Sequence, residues 1–217
     1  TSLHVNFCSI YYKTSRTIFL VSQSVENKKM KRIDINSTDT LQLAINALSV
    51  GEIIVYPTDT IYGFGCDAKN DEAITKLNNL KGRQSPISII APDKQTAINW
   101  FNIETDEKKN LFKNFENGNT IIAPIHEGLV HNKIKGKKNT VGIRVPNCTF
   151  CTSLSKSFGK PITTTSVNIT GSKPHIDPDM IEIEFRSKVS LLIDAGIINN
   201  KPSKIFKLEP GRLVTIR

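Results

Sequence analysis

The chain has 217 residues, of which 38% are hydrophobic and 23% are charged, and this composition excludes a disordered or fibrous protein. Four cysteines are too few for a disulfide scaffold, and no apolar run reaches the roughly 18 residues that a membrane span needs. The formal net charge of +9 favours anionic partners such as nucleotides or RNA, so we expect a globular protein of the cytoplasm that uses no membrane.

The first 29 residues differ in pattern from the rest of the chain. No sustained apolar period is visible before Met30, and the segment lacks the cationic start and apolar core of a signal peptide. A well-patterned segment begins directly after Met30. We therefore interpret residues 1–29 as an extension or a mis-assigned start, and residues 30–217 as one domain.

Helix and strand patterns alternate from residue 31 onward. The apolar spacing within residues 41–48 predicts a helix that is capped by Ser37 or Thr38 and ended by Gly51. Pro92 is predicted to open another helix. One further helix is predicted to begin at Asp71, and three more are predicted over 105–115, 149–157 and 177–185. The predicted strands are 52–56, 86–91, 120–125, 140–145, 161–166, 189–194, 204–208 and 212–216. This alternation predicts an α/β domain with a mixed sheet flanked by helices.

A polar loop follows the apolar strand 52–56. Its sequence, PTDTIYGFG, places Thr58, Asp59, Thr60 and Tyr62 beside two glycines, which let backbone amides approach a ligand closely. The segment is neither a dinucleotide-binding fingerprint nor a P-loop. Taken alone, it favours an ordinary polar turn over a binding site.

Two cations separated by one glycine follow the helix that begins at Asp71. Lys81 supplies a point charge and Arg83 a planar fork, so the two side chains can converge on one anion. The alternative is a cationic helix end that the helix dipole stabilises, and in isolation this alternative is favoured.

Ser166 and Asn168 lie at the end of strand 161–166, in TTTSVNITG. Continued extension would point both side chains to the same side. Asn can bind a nucleobase edge or a ribose and Ser can donate to phosphate, although an ordinary turn uses the same residue types.

Arg144 lies in VGIRVP, near the end of the apolar strand 140–145. A guanidinium in this position must reach a carboxylate, a phosphate or solvent, and snorkelling at the strand end is the alternative. Cys148 and Cys151 follow it as a CxxC pair, which could be redox-active or half of a zinc site, but no further ligands follow at zinc spacing. The KIKGKK run at 133–138 is interpreted mainly as a solvated loop, with contact to tRNA or ATP as the alternative.

PTDTIYG, KGR, IRVP and TSVN occur in the order, and with approximately the spacing, seen in the threonylcarbamoyl-AMP synthase family. From about Lys31 to Ser203 the chain resembles the YrdC-like domain of that family in its single-domain form. The resemblance implies a twisted mixed sheet flanked by helices, with a basic concave face. It also implies an enzyme that converts L-threonine, bicarbonate or CO₂, and ATP into threonylcarbamoyl-adenylate and pyrophosphate. Partner transfer proteins would then modify tRNA to threonylcarbamoyladenosine.

The resemblance also implies roles for the residues that match its motifs. Lys81 and Arg83 would be catalytic and would engage the ATP phosphates, and Thr58, Thr60, Tyr62 and Arg144 would bind threonine and bicarbonate. Ser166, Asn168 and Ser203 would bind ATP. Magnesium would be held by the ATP phosphates and by no protein ligand.

Two other functions remain as hypotheses. A non-catalytic module that binds double-stranded RNA would show strongly salt-dependent binding that survives loss of Asn168. A carbamoyl-transfer relative would use another acceptor, and the sequence does not distinguish acceptors. The synthase predicts saturable binding of ATP and threonine that substitution of Ser166 or Asn168 weakens.

Overall fold

Ten strands form one mixed sheet in the computed structural model, which describes residues 30–84, 86–116, 118–210 and 212–217. The predicted extension at residues 1–29 lies outside the described residues. The strands are β1 (Lys31–Asp34), β2 (Ile54–Tyr56), β3 (Gly63–Gly65), β4 (Ser88–Ile90), β5 (Thr120–Pro124), β6 (Thr140–Arg144), β7 (Ile162–Ser166), β8 (Leu191–Asp194), β9 (Ile205–Glu209) and β10 (Arg212–Thr215). The helices are α1 (Thr40–Ser49), α2 (Asp71–Lys81), α3 (Lys94–Trp100), α4 (Thr105–Asn114), α5 (Thr149–Phe158) and α6 (Pro178–Phe185).

The strand order across the sheet is β1-β8-β2-β3-β7-β4-β6-β5-β9-β10. Strand β8 lies between β1 and β2 and pairs in parallel with both. The β4–β6 pair and the β5–β9 pair are also parallel. The other neighbouring pairs are antiparallel. The predicted α/β class with a mixed, helix-flanked sheet is therefore confirmed. In the part of the chain that the structure describes, no helix has the length and apolarity needed to cross a membrane.

Helices cover both faces of the sheet, and alternate residues of the central strands pack against each layer. Ile54 and Tyr56 of β2 belong to the same buried cluster as Leu48 of α1 and Leu154 of α5. Val55, between them, belongs to the opposite cluster, to which α2, α3, α4 and α6 contribute. A strand buried on both faces has no polar alternate position, which explains the continuous apolar run in this segment.

Helix α2 begins at Asp71 as the sequence predicts, and it extends through Lys81, which the prediction places after the helix. Its N-cap is Asn70, whose side chain accepts a hydrogen bond from the backbone N–H of Ala73 at 3.0 Å. Gly82 ends the helix in the left-handed region, with φ of 66°. Buried Ile74 and Leu77 anchor the helix in the core, so its last residue, Lys81, is held at a defined place.

Two predicted helix starts differ from the observed ones. The N-cap of α1 is Asp39, rather than Ser37 or Thr38, and its side chain makes no capping bond. Helix α3 begins at Lys94 because Asp93 caps it, accepting from the backbone N–H of Thr96 at 2.7 Å, so Pro92 lies before the helix. A carboxylate cap satisfies a free N–H group, whereas proline only supplies a favourable φ.

Strands β1 and β3 have no counterpart in the sequence-based prediction. Strand β3 is Gly-Phe-Gly and pairs on both sides, with β2 and β7. A Cβ at Gly65 would lie 2.7 Å from Cε1 of Tyr56, so this strand requires glycine for close approach. Strand β1 is a four-residue polar edge strand, Lys31–Asp34, that is defined by its pairing with β8.

Candidate active site

A cavity of about 500 Å³ opens on the sheet face that also carries α1 and α5. On this face, Ile90 of β4 and Ile162 of β7 pack in the same cluster as α5. Ser88, Thr164 and Ser166 are two or four residues away on the same strands, and they line the cavity. The floor of the cavity is therefore a continuation of the helix-covered sheet in which hydroxyl groups replace apolar side chains.

Basic side chains surround this floor. Arg83, Arg144, Lys207 and Arg217 line the cavity, and no Asp or Glu is among its described lining residues. An excess of cations in a concave site concentrates anionic ligands, and guanidinium groups bind phosphate and carboxylate with paired hydrogen bonds. The cavity is therefore suited to a polyanion.

Seven of the nine residues that the sequence singles out line this cavity. They are Thr58, Thr60, Tyr62, Arg83, Arg144, Ser166 and Ser203. Lys81 and Asn168 lie directly behind the cavity wall, in contact with Ser166. These residues, of which Thr58 and Ser203 are 145 positions apart in the sequence, are thus brought together by the fold.

Lys81 is buried and makes polar contacts with the TSVN segment. Its Nζ donates to the carbonyl of Ser166 at 2.7 Å and to Oδ1 of Asn168 at 2.8 Å, and the residue is only 2% exposed. Burial and the nearby charge of Arg83 lower the pKa of Lys81 to about 8. Lys81 is thus the basic last residue of α2, as the helix-end alternative has it, and its ammonium is buried against the end of β7.

Asn168 is the hub of this polar cluster. Its Oδ1 also accepts from the hydroxyl of Ser166 at 2.7 Å, and its Nδ2 donates to two backbone carbonyls of the following turn at 3.0 and 2.6 Å. Strand β7 ends at Ser166, and the N–H of Asn168 already turns back to the carbonyl of Ser166 at 3.1 Å. Continued extension is therefore absent, and it is a turn that brings the two side chains together.

The PTDT loop is closed by its own hydroxyl groups. Oγ1 of Thr58 donates to the carbonyl of Ile61 at 2.7 Å and accepts from the N–H groups of Thr60 and Ile61 at 3.1 and 3.3 Å. The hydroxyl of Thr60 lies 3.0 Å from that of Thr58. Such a turn fixes the backbone of the loop locally, so the loop is both a polar turn and one wall of the cavity.

Tyr62 lines the cavity, but its hydroxyl is bonded elsewhere in the protein. Its hydroxyl donates to the carbonyl of Gly196 at 2.8 Å and accepts from the N–H of Ala195 at 2.9 Å. The residue is fully buried, and burial raises its pKa. These contacts tie the PTDT loop to the segment after β8.

Arg144 meets a carboxylate, the first of the alternatives that the sequence leaves open. Its Nη2 lies 2.7 Å from Oδ1 of Asp59 and 3.2 Å from Oγ1 of Thr60. Arg144 is 7% exposed, and its buried Nε has no hydrogen-bond partner among the described residues. Asp59 is therefore committed to a buried ion pair, and Arg144 keeps an unused donor beside the cavity.

The far wall of the cavity contains residues that the sequence analysis does not single out. Lys207 of β9 and Arg217 line it, and the guanidinium of Arg217 donates to the carbonyl of Ser203 at 3.2 Å through Nη2. The hydroxyls of Thr120 and Ser203 lie 3.4 Å apart. In the sequence, the only sign of this wall is that the polar Lys207 lies two residues after Ile205, on the same face of the strand. That face lines the cavity because β9 pairs in parallel with β5, and the sequence does not show this pairing.

The KIKGKK run borders the cavity through its glycine. Gly136 lines the cavity, whereas Lys133 pairs with Asp71 and Lys135 with Glu127 at 3.1 Å. Within the described ranges, no group of three or more His, Cys, Asp or Glu side chains is arranged to hold a metal ion. The two cysteines of the CxxC pair thus have no third ligand there.

Most of the chain is similar in sequence to known proteins. The Sua5_yciO_yrdC family model, described as "Telomere recombination", matches residues 46–217. A putative threonylcarbamoyl-AMP synthase of Methanocaldococcus jannaschii is 31% identical over 199 residues, which are 89% of this chain and 93% of that protein.

Two solved structures have the same fold. E. coli YciO is 25% identical with a TM-score of 0.76, and the match covers 86% of this chain and 92% of that one. P. abyssi Sua5 complexed with L-threonine also has a TM-score of 0.76, at 24% identity. The match covers 87% of this chain but only 56% of that Sua5 chain.

Proposed function

Since the chain belongs to the Sua5/YciO/YrdC family, we propose that it is a threonylcarbamoyl-AMP synthase. The enzyme combines L-threonine, bicarbonate or CO₂, and ATP into threonylcarbamoyl-adenylate and releases pyrophosphate. Partner proteins then transfer the threonylcarbamoyl group to tRNA. One observation carries this proposal: the described lining of the cavity holds four cations, several hydroxyls and no carboxylate, as a triphosphate requires.

The chemistry needs no protein nucleophile. The threonine amine is carboxylated to a carbamate, one oxygen of the carbamate attacks the α-phosphorus of ATP, and pyrophosphate leaves in line. Positioning and neutralisation of negative charge are the main contributions that a protein makes to such a transfer. We assign the polyphosphate to Arg83, Lys207 and Arg217, which line the cavity; Ser166 lines it too, with its hydroxyl donated to Asn168.

Threonine and the carbamate fit the side of the cavity that the PTDT loop forms. Thr60 and Arg144 are in contact there and both line the cavity, so the guanidinium of Arg144 is the cation next to a carboxylate or carbamate bound on this side. Tyr62 lines this side of the cavity as well. We assign the threonine and bicarbonate subsite to this side.

Lys81 acts from behind the wall in this proposal. Its ammonium contacts the carbonyl of Ser166 and the side chain of Asn168, so it fixes both residues and places a positive charge next to the nucleotide. The role of Lys81 as a direct phosphate ligand, which the family resemblance implies, remains a prediction.

The residues of the cavity fit a magnesium ion that arrives with ATP. The described lining offers hydroxyls but no carboxylate, and the nearby Asp59 is bonded to Arg144. Phosphate oxygens and water would therefore supply most of the ligands, as Mg²⁺ prefers. When bound, the ion supplies charge neutralisation of the phosphates.

The decisive experiment is incubation with ATP, Mg²⁺, bicarbonate and each of the twenty amino acids in turn. Pyrophosphate is measured, and the adenylate is identified by mass. We expect threonine-selective product, and we expect Arg83→Ala to lower the rate by about two orders of magnitude or more. The control is Arg212→Ala, an exposed arginine on the edge strand β10. Pyrophosphate release that needs no amino acid, or that Arg83→Ala leaves intact, would refute the proposal.

A further inference from the structure

Two cysteines lie together at the start of α5, close to the cavity but outside its lining. Cys148 is the N-cap residue of this ten-residue helix, and Cys151 lies in its first turn. The donors nearest the sulfur of Cys148 are the thiol of Cys151 and the backbone N–H groups of Phe150 and Cys151, although none of them makes a side-chain capping bond. These donors stabilise a thiolate at Cys148, and the positive end of the helix dipole acts in the same direction.

The two thiols are in unequal environments. The Cys151 thiol and the two backbone N–H groups lower the pKa of Cys148 to about 6, against the opposing effects of burial and, to a lesser extent, of the Asp59 carboxylate. Complete burial raises the pKa of Cys151, and the sulfur of Cys148 and the carboxylate of Asp59 raise it further. The positive charge of Arg144 acts in the opposite direction. Cys148 is also half-buried, whereas Cys151 and Cys66 are buried. Reagents in solution therefore meet a thiolate at Cys148 with a protonated thiol beside it.

Both sulfurs also contact the loop that forms one wall of the cavity. The thiol of Cys151 donates to the carbonyl of Pro57 at 3.1 Å, and the sulfur of Cys148 lies 3.9 Å from the same oxygen. Pro57 directly precedes Thr58, whose hydroxyl closes the PTDT turn. A change in the state of the sulfurs therefore acts on the loop through a single buried carbonyl.

We propose that Cys148 and Cys151 form a redox-active dithiol whose oxidation loosens the PTDT loop. The oxidant is a low-molecular-weight disulfide such as oxidised glutathione. The Cys148 thiolate attacks one of its sulfurs, which breaks the sulfur–sulfur bond and releases one thiolate. Cys151 then loses its proton to solvent and attacks the sulfur of Cys148, and the second glutathione thiolate leaves. Two protein thiols are oxidised and one glutathione disulfide is reduced to two thiols.

Loss of the thiol hydrogens explains the effect on the loop. In the disulfide neither sulfur carries a proton, so the buried carbonyl of Pro57 loses its donor from Cys151. The turn that carries Thr58 and Thr60 then opens more often.

The test uses the full chain equilibrated with defined ratios of reduced and oxidised glutathione, followed by alkylation and peptide mass mapping. We expect a Cys148–Cys151 disulfide, seen as the loss of two hydrogen masses, and a free thiol at the buried Cys66. In the reduced protein, the alkylation rate of Cys148 should be half-maximal at about pH 6, while Cys66, whose pKa burial raises to about 12, should react negligibly below pH 9. The pH profile uses the unaltered chain and does not depend on whether variants fold.

Amide hydrogen exchange then tests the coupling to the loop. Exchange in residues 58–62 should be faster in the oxidised than in the reduced protein, and glutathione should have no such effect on Cys151→Ser. Three results would overturn the proposal. They are a glutathione adduct on Cys148 that Cys151 does not displace, a Cys148 titration near that of a free thiol, and loop exchange that the disulfide leaves unchanged. None of these readouts depends on the proposed enzymatic activity.

Discussion

Replacement of Asp59 by Asn should destabilise the protein strongly, because it removes the counter-ion of a buried guanidinium. Arg144 is 7% exposed, Asp59 lies 2.7 Å from its Nη2, and the remaining contact of that nitrogen is the neutral hydroxyl of Thr60 at 3.2 Å. Removal of one partner from a buried ion pair costs about 3–5 kcal/mol. Asn keeps one oxygen acceptor and the cavity admits water, so we expect about 2–3 kcal/mol for Asp59→Asn.

Urea unfolding monitored by circular dichroism measures this cost directly. The transition midpoint should move to lower urea with an unchanged slope. The matched control is Asp106→Asn, which breaks an exposed pair with Lys109 at 3.2 Å and should leave the midpoint nearly unchanged.

A second substitution separates the unpaired charge from the lost contact. If the cost comes from an uncompensated guanidinium, Asp59→Asn combined with Arg144→Met should be more stable than Asp59→Asn alone, since no charge is then buried. Equal effects of Asp59→Asn and Asp106→Asn, or no recovery in the double variant, would refute this account of the ion pair.

Three further predictions follow from the cavity wall and floor. Asn168→Ala removes the acceptor that Lys81 and Ser166 share. It should lower the free energy of unfolding, measured in urea, by about 2–4 kcal/mol and should weaken ATP binding. An effect no larger than that of Asn99→Ala, which changes an exposed asparagine, would contradict this prediction. Burial lowers the pKa of Lys81 to about 8, and a bound polyphosphate favours the charged form of this lysine. ATP binding should therefore take up protons at pH 8, whereas at pH 6 the lysine is already charged and should take up none. Calorimetry in buffers of different ionisation enthalpy measures this uptake, and proton release at pH 8 would contradict the prediction. A Cβ at Gly142 would lie 2.5 Å from Oγ of Ser88, so Gly142→Ala should lower the melting temperature. Adding Ser88→Ala to that variant removes the hydroxyl and should restore part of the loss. If the double variant shows no recovery, this contact is not the cause.

Features that depend on neighbouring residues in the chain were predictable from the sequence. Helix α2 illustrates this, since its cap, its apolar face and its terminal Gly82 lie within thirteen residues. The apolar strand β2 was predictable for a similar reason, because burial on both faces requires a continuous apolar segment. The ordered motifs also indicated the family, which the comparisons confirm.

Features created by pairing between distant segments were not predictable in this way. Strand β3 is two glycines and a phenylalanine, and it becomes a strand because β2 and β7 supply hydrogen-bond partners on its two sides. Lys207 was read as part of an ordinary strand, and it is the pairing of β9 with β5 that places it on the cavity wall.

The sequence by itself determined the residue types of the site, their order and the helices and strands that carry them, because these depend on local backbone preferences and apolar spacing. The tertiary structure alone decided that Asp59 neutralises Arg144, that Lys81 supports the wall from behind, and that two cysteines share the carbonyl of Pro57. Such assignments require the distance between side chains that lie tens of residues apart, and that distance is defined only when the sheet has formed.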